Sequence, residues 1–267
     1  MIQINEVISF LDSIAPQNWQ EGYDNAGLIT GNPDWPVQGI LVCLDSTENI
    51  IDEAIQTGCN LVIAHHPIIF SGLKKITGAH YVEKTIIKAI KNDIAIFAIH
   101  TNLDNAFFYG VNTKFCEQIG LQEINILAPK KNETGNNLEA IGAGMFGWLP
   151  EPMPVKDFFN HLKSKMELQW IKHTEIIKPT VSKIALCGGS GSFLTKAAIS
   201  VQADVFISSD FKYHEFFEAN NQIIIVDIGH FESEKYTIDL LFGLLQNKFS
   251  TFAVRFTKHI TNPVHYL

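Results

Sequence analysis

QGILVCLDSTENIIDEAIQTGCNLVIAHHP, running from Gln38 to Pro67, decides the fold. Its apolar run Gln38 to Asp45 reads as a buried strand, the amphipathic Glu48 to Thr57 as a helix, and Leu61 to Ala64 as a second strand. The rhythm continues outward with a helix at Ala79 to Lys91, a strand at Ile94 to Ile99 and a helix at Val111 to Ile119. Continuous apolar strands separated by amphipathic helices predict an α/β fold built on a mainly parallel sheet covered on both faces.

The chain turns more polar between Leu121 and Asn137, and APKKNETGNN (Ala128 to Asn137) is its clearest break. A boundary there predicts two related α/β lobes, residues 1–125 and residues 126–267. In the second lobe the run IGAGMFGWL, Met166 to Ile171, SKIALC, Asp204 to Ser208, Gln222 to Val226 and Thr251 to Phe256 read as strands. Helices are expected at Val155 to Lys165, at Phe193 to Val201 and around His230 to Gln246.

With 267 residues and 46% hydrophobic content, the chain can bury a sizeable core. Its formal charge of -8 disfavours an extended nucleic-acid surface, which needs clustered Lys and Arg. A locally positive pocket for a nucleotide or another small-molecule substrate is compatible with that balance. No apolar run approaches the roughly 20 residues that cross a bilayer, and the start lacks a basic segment followed by an apolar core. These features predict a cytoplasmic protein with no membrane association. Cys43, Cys59, Cys116 and Cys187 form no CxxC pair and read as reduced core thiols.

AHHPIIF sets His65 and His66 side by side immediately after an apolar strand. Asp104 in HTNLDN and the pair His230 and Glu234 in GHFESE follow two other strands. Imidazole nitrogens and carboxylate oxygens suit Zn, Mn or Fe(II), and such a set can hold two ions with water between them. Ligands of open α/β proteins gather beyond the carboxyl ends of strands, so these segments are expected to meet at the junction of the lobes. His230 and Glu234, four apart at a helix start, share a face. Pro67 suits a held loop in which the two adjacent imidazoles address neighbouring ions.

Further residues admit two readings each. His100 is either a group orienting Asp104 or strand-end packing, and Asp45 either contacts a metal-associated water or caps the following helix. His214, with Tyr213 in SSDFKYHEFF, is a candidate for pocket wall or general acid/base work. CGGSGS at Cys187 to Ser192 could cradle a phosphate on its backbone amides, or be a plain tight turn, since it matches neither a P-loop nor GxGxxG. GYDNAG, Gly22 to Gly27, reads as a turn near the site.

DNAG with LITG, CLD with ST, AHHPIIF, HTNLDNA, CGGSGS, SSDFKYH, GHFESE and the terminal TNPVHYL together resemble the GTP cyclohydrolase 1 type 2 homologues. This is a dinuclear-metal family also catalogued as a domain of unknown function, and the likeness spans nearly the whole chain. It implies two divalent ions (Zn, Mn or Fe) held by His65, His66, Asp104, His230 and Glu234, in a ring-shaped homohexamer built from the short form without a large inserted domain. The implied reaction is hydrolytic opening of the guanine imidazole ring of GTP, releasing formate and giving dihydroneopterin triphosphate; for that reaction His214 is our candidate proton shuttle. The alternatives are a metal-dependent hydrolase of another substrate and a metal-binding regulatory protein without turnover. The family has threonine, glycine and an acidic residue where this chain has Ser208, Ser209 and Asp210, which points to an altered turn beside the pocket.

Overall fold

The computed structural model describes residues 1–131 and 137–266. It is a mixed α/β structure with two sheets, and the chain divides into two compact units, Met1–Leu103 with Thr237–Leu267, and Asp104–Tyr236.

In the first unit the chain forms α1 (Ile4–Ile14), β1 (Gly27–Thr30), β2 (Gly39–Cys43), α2 (Glu48–Thr57), β3 (Leu61–Ala64), α3 (Tyr81–Lys91), β4 (Ala95–Ala98) and the short α4 (Thr101–Asp104). Residues in β2, β3 and β4 are buried throughout, which is why their sequences are unbroken apolar runs rather than alternating ones. Ile50, Ile51 and Ala54 of α2 and Ile86 and Ala89 of α3 pack on Leu41, Val62 and Ile96. Each fully buried branched side chain contributes about 1.5–3 kcal/mol before entropic losses. Gly58 ends α2 in the left-handed region, at φ 69°, where its amide reaches back to Ala54 and Ile55.

The second unit holds α5 (Val111–Ile119), β5 (Gln122–Lys131), β6 (Asn137–Pro154), α6 (Val155–Met166), β7 (Lys172–His173), β8 (Thr180–Ser190), α7 (Thr195–Ser200), β9 (Val205–Ser209), β10 (Ile224–Asp227) and α8 (His230–Glu234). The chain then returns to the first unit as α9 (Thr237–Lys248) and β11 (Ala253–Phe256).

Among the described residues the first sheet has the order β1-β4-β3-β2-β11, and only β1 runs antiparallel to its neighbour. It fits the mainly parallel expectation. The second sheet, β5-β6-β8-β9-β10-β7, does not: β8, β9 and β10 are parallel, whereas the pairings β5–β6, β6–β8 and β10–β7 are antiparallel. Residues 132–136 are too few for the crossover that a parallel β5–β6 pair would need.

The units also divide the chain elsewhere than at 125/126. A cut there would fall inside β5, which pairs with β6, and β11 pairs with β2 rather than with the second sheet. The break expected over Ala128 to Asn137 is strand on either side, and its residues 132–136 lie outside the described residues. Met166 to Ile171 is not a strand. Met166 closes α6, and Glu167 caps it with φ 52°. The helix α1 and the strands β1 and β5 are elements that the apolar patterning left unassigned.

Candidate metal centre

In the first unit, β3 delivers the histidine pair. Backbone pairing with β2 continues past the strand end, from the His65 amide to the Cys43 carbonyl and from the His66 amide to the Leu44 carbonyl, so both residues are fixed before their side chains are considered. His65 is fully buried and its Nδ1 donates to the Ile99 carbonyl oxygen at 2.9 Å. A carbonyl only accepts, so Nδ1 carries a proton. His66 donates from Nδ1 to Asp45 Oδ1 at 2.7 Å, and Asp45 Oδ2 accepts from the Thr261 hydroxyl at 2.6 Å. This is the carboxylate–histidine pairing that sets the tautomer and raises the basicity of a metal-binding imidazole. Asp45 therefore acts on the His66 ring.

His100 belongs with them. Its Nδ1 pairs with Asp24 Oδ1 at 2.8 Å, and Asp24 Oδ2 accepts from the Thr101 amide at 3.0 Å and hydroxyl at 2.5 Å. Burial pushes the Asp24 carboxyl up, but the hydrogen bonds from His100 and Thr101 outweigh it and hold the group at about 2. The ring centroids of His65, His66 and His100 lie 4.9, 5.2 and 5.3 Å apart, and one nitrogen of each lies within 4.8 Å of those of the other two. Asp24, within the GYDNAG turn, is thus what orients the third ring.

In the second unit, Gly229 at φ 92° launches α8, whose first residue is His230 and last is Glu234. The i, i+4 spacing brings His230 Nε2 to 3.1 Å from Glu234 Oε2, with Glu234 buried and His230 half-buried. His230 Nδ1 donates to Asp210 Oδ2 at 2.6 Å. Burial pulls the His230 pKa down, yet the charges and hydrogen bonds of Glu234 and Asp210 prevail and push it up to about 11. Without a metal, His230 is a cation held between two carboxylates.

The CGGSGS turn serves this pair rather than an anion. Gly188 donates its amide to Asn112 Oδ1, Gly189 to the Ser233 hydroxyl and Gly191 to the Ser208 hydroxyl, while Ser208 and Ser209 both donate to the Gly189 carbonyl. Those three amides are consumed inside the unit, which favours the plain-turn reading over the phosphate cradle. Glycine is needed for closeness: at Gly189, φ 63°, a Cβ would stand 2.3 Å from Glu234 Oε1, and at Gly188 one would stand 3.3 Å from Glu234 Cγ. Ser209, at the position of the family's glycine, is an extended strand residue whose hydroxyl is bonded; the left-handed residue is Asp210, at φ 59°.

Asp104 is half-buried at the end of α4, and its carbonyl accepts from the Asn112 side chain that also receives the Gly188 amide. Cys187 is a buried free thiol; burial first, then the negative charges of Asp104 and Glu234, push its pKa upward, so it is no nucleophile. His214 is exposed on a short 3-10 segment, Tyr213–Ala219, its ring against Tyr213 and Phe217. Among the described residues no helix is long and apolar enough to cross a membrane.

The sequence profile of Duf34/NIF3 (NGG1p interacting factor 3) matches residues 2–263. A Campylobacter jejuni protein called GTP cyclohydrolase 1 type 2 homolog is 34% identical over 247 residues, 92% of this chain and 93% of its own. A Clostridium perfringens protein of the same name is 33% identical over 236 residues, 87% of each chain. The crystal structure of a Bacillus cereus protein related to NIF3 superposes with a TM-score of 0.90 at 26% identity, covering 100% of this chain and 99% of that one.

Proposed function

The chain belongs to the Duf34/NIF3 family, and from that premise we propose that it is a dinuclear-metal-dependent hydrolase of the GTP cyclohydrolase type, with His65, His66, Asp104, His230 and Glu234 as its metal ligands. The observation that carries the reading is the setting of the imidazoles: His65 and His66 each have Nδ1 engaged by an oxygen, the backing that orients metal-binding rings. Buried Glu234, beside His230, adds an oxygen donor, so the residues fit borderline divalent ions such as Zn, Mn or Fe(II).

Two bound ions would supply Lewis acidity and lower the pKa of water, the chemistry needed to open the guanine imidazole ring and release formate. The chain's residues do the rest. His65 and His66 are held in orientation by the Nδ1 bonds to the Ile99 carbonyl and to Asp45. His230 and Glu234 would hold a cation once the Nε2 proton has passed to solvent, and Asp210 keeps the ring from turning. His214, solvent-exposed, carries protons between substrate and water in this scheme. The chain works as a homohexamer in the cytoplasm.

Formate release from GTP by anaerobically purified protein reconstituted with Mn, Fe(II) or Zn tests the reading, with Asp104→Asn beside it. Metal-dependent release that Asp104→Asn abolishes is expected; release without metal, or none with two ions bound, would overturn it. One observation favours a second reading, a metal-dependent hydrolase of a substrate other than GTP: the glycine-turn amides that would hold a triphosphate are spent on Asn112, Ser208 and Ser233.

A further inference from the structure

We propose that Tyr23 and Phe70, both in the first unit, form a stacking platform for a planar nitrogen heterocycle of the substrate. This deepens the hydrolase reading and rests on it for the fate of that ring, not for its binding.

Both rings are exposed, Tyr23 at 65% and Phe70 at 50%, and they lie near-parallel, with 27° between their planes and 6.2 Å between their centroids. Two large rings left side by side in water forgo the burial that drives folding. The backbone beneath them is nonetheless pinned. Asp24, next to Tyr23, accepts from the Thr101 amide and hydroxyl and pairs with His100. Asn25 donates from Nδ2 to the Ile69 carbonyl at 2.7 Å, which ties the turn carrying Tyr23 to the residue before Phe70. Beyond Phe70, the Glu83 carboxylate gathers the Thr77 amide and hydroxyl and the Ala79 amide. The two rings are therefore set in place before any ligand arrives, and little further ordering is needed when one stacks on them.

Packing of one loop on another accounts for a ring contact but not for where this one lies. Phe70 also stands edge-on to His100, at 77° and 5.8 Å between centroids, and the His100 ring adjoins those of His65 and His66. A flat ligand that extends the stack is thus within about one ring of the imidazoles. Face-to-face contact with near-parallel rings favours a planar ligand over an aliphatic one, and every nucleobase offers such a face. A second copy of the chain seated on the same rings would instead cover the approach to His100, which a hydrolase must leave open to its substrate.

The test titrates full-length, Mn-reconstituted protein by calorimetry with guanosine monophosphate and with ribose phosphate, its counterpart without the base. Wild type is expected to bind the nucleotide at least ~10-fold more tightly than ribose phosphate. Phe70→Ala and Tyr23→Ala are each expected to weaken the nucleotide about 5- to 100-fold and to leave ribose phosphate unchanged. Phe70→Leu, which keeps the apolar bulk without the flat face, is expected to match Phe70→Ala and serves if the alanine variant lowers the melting temperature; Phe70→Trp is expected to restore wild-type affinity. Nucleotide affinity that is equal in wild type, Phe70→Ala and Phe70→Leu overturns the proposal, as does an equal loss of both ligands. Altered sedimentation of Phe70→Ala at unchanged nucleotide affinity overturns it too, and marks the rings as an interface between copies. Nucleotide binding that follows the ring at position 70 while GTP yields no formate leaves the platform standing and the cyclohydrolase reading fallen. Formate release from GTP with a KM unmoved by Phe70→Ala does the reverse.

Discussion

The two units prepare their imidazoles in opposite ways. In the first, each histidine of the cluster has its Nδ1 tied to an oxygen. In the second, both nitrogens of His230 face carboxylates, and the ring holds its second proton up to about pH 11. The same residue type is thus oriented through one nitrogen in one setting and held as a cation between two carboxylates in the other. What differs is the number of carboxylates around the ring, and with it whether a metal must displace a proton to bind.

The hardest way to break this contrast is to remove an oriented ring. His65→Ala should lower affinity for Zn(II) at least ~100-fold, since nothing else can supply the nitrogen that the Ile99 carbonyl sets in place; competition with a chromophoric chelator measures it, and a change of less than threefold would remove His65 from the centre.

Next comes pH. The His230 pKa is raised from 6.5 to about 11 on folding, so its ion pairs stabilise metal-free protein fully below pH 6.5, and that contribution drains away as pH climbs toward 11. Metal binding at His230 and Glu234 should strengthen over the same window by up to ~10-fold per pH unit, because a proton leaves. In His65→Ala/His66→Ala protein, which retains that pair, Asp210→Asn should flatten both slopes. Equal slopes in the variants with and without Asp210 would show that the carboxylates do not set the difference.

A smaller effect concerns the bed beneath Glu234. Gly189→Ala places a Cβ against Glu234 Oε1 at a left-handed φ and should cost about 1–3 kcal/mol, read by urea denaturation. The smallest sharpens the His66 setting. Thr261→Val removes one hydrogen bond to Asp45, worth about 1 kcal/mol, and should weaken Zn(II) binding a few-fold, with Thr261→Ser restoring it.

Much of this was legible in the sequence because it is local. Unbroken apolar runs mark β2, β3 and β4, and the amphipathic stretches Glu48–Thr57 and Val111–Ile119 are the helices α2 and α5 as they stand, each followed by a glycine in the left-handed region. The adjacent histidines and the His230, Glu234 spacing were equally plain. What could not be read is carried by distant pairs: Asp24 with His100, Asp45 with Thr261, Asp210 with His230, and β11 with β2. His100 drew two readings because nothing near it in the chain reveals the acceptor that aligns it. The CGGSGS turn drew two readings for a related reason, since glycine looks the same whether a phosphate or a carboxylate side chain needs the room.

The return of the chain to the first sheet has a consequence for biosynthesis. Asp104–Tyr236 is contiguous and leaves the ribosome as a complete unit, whereas the sheet begun by β2 gains its neighbour β11 only after residues 253–256 have emerged. Until then β2, buried along its whole length in the finished fold, is an open sheet edge able to recruit other strands. Thr261 arrives later still, so the setting of His66 is among the last features to mature, and a nascent chain stalled before Ala253 is the form that chaperones and proteases would meet.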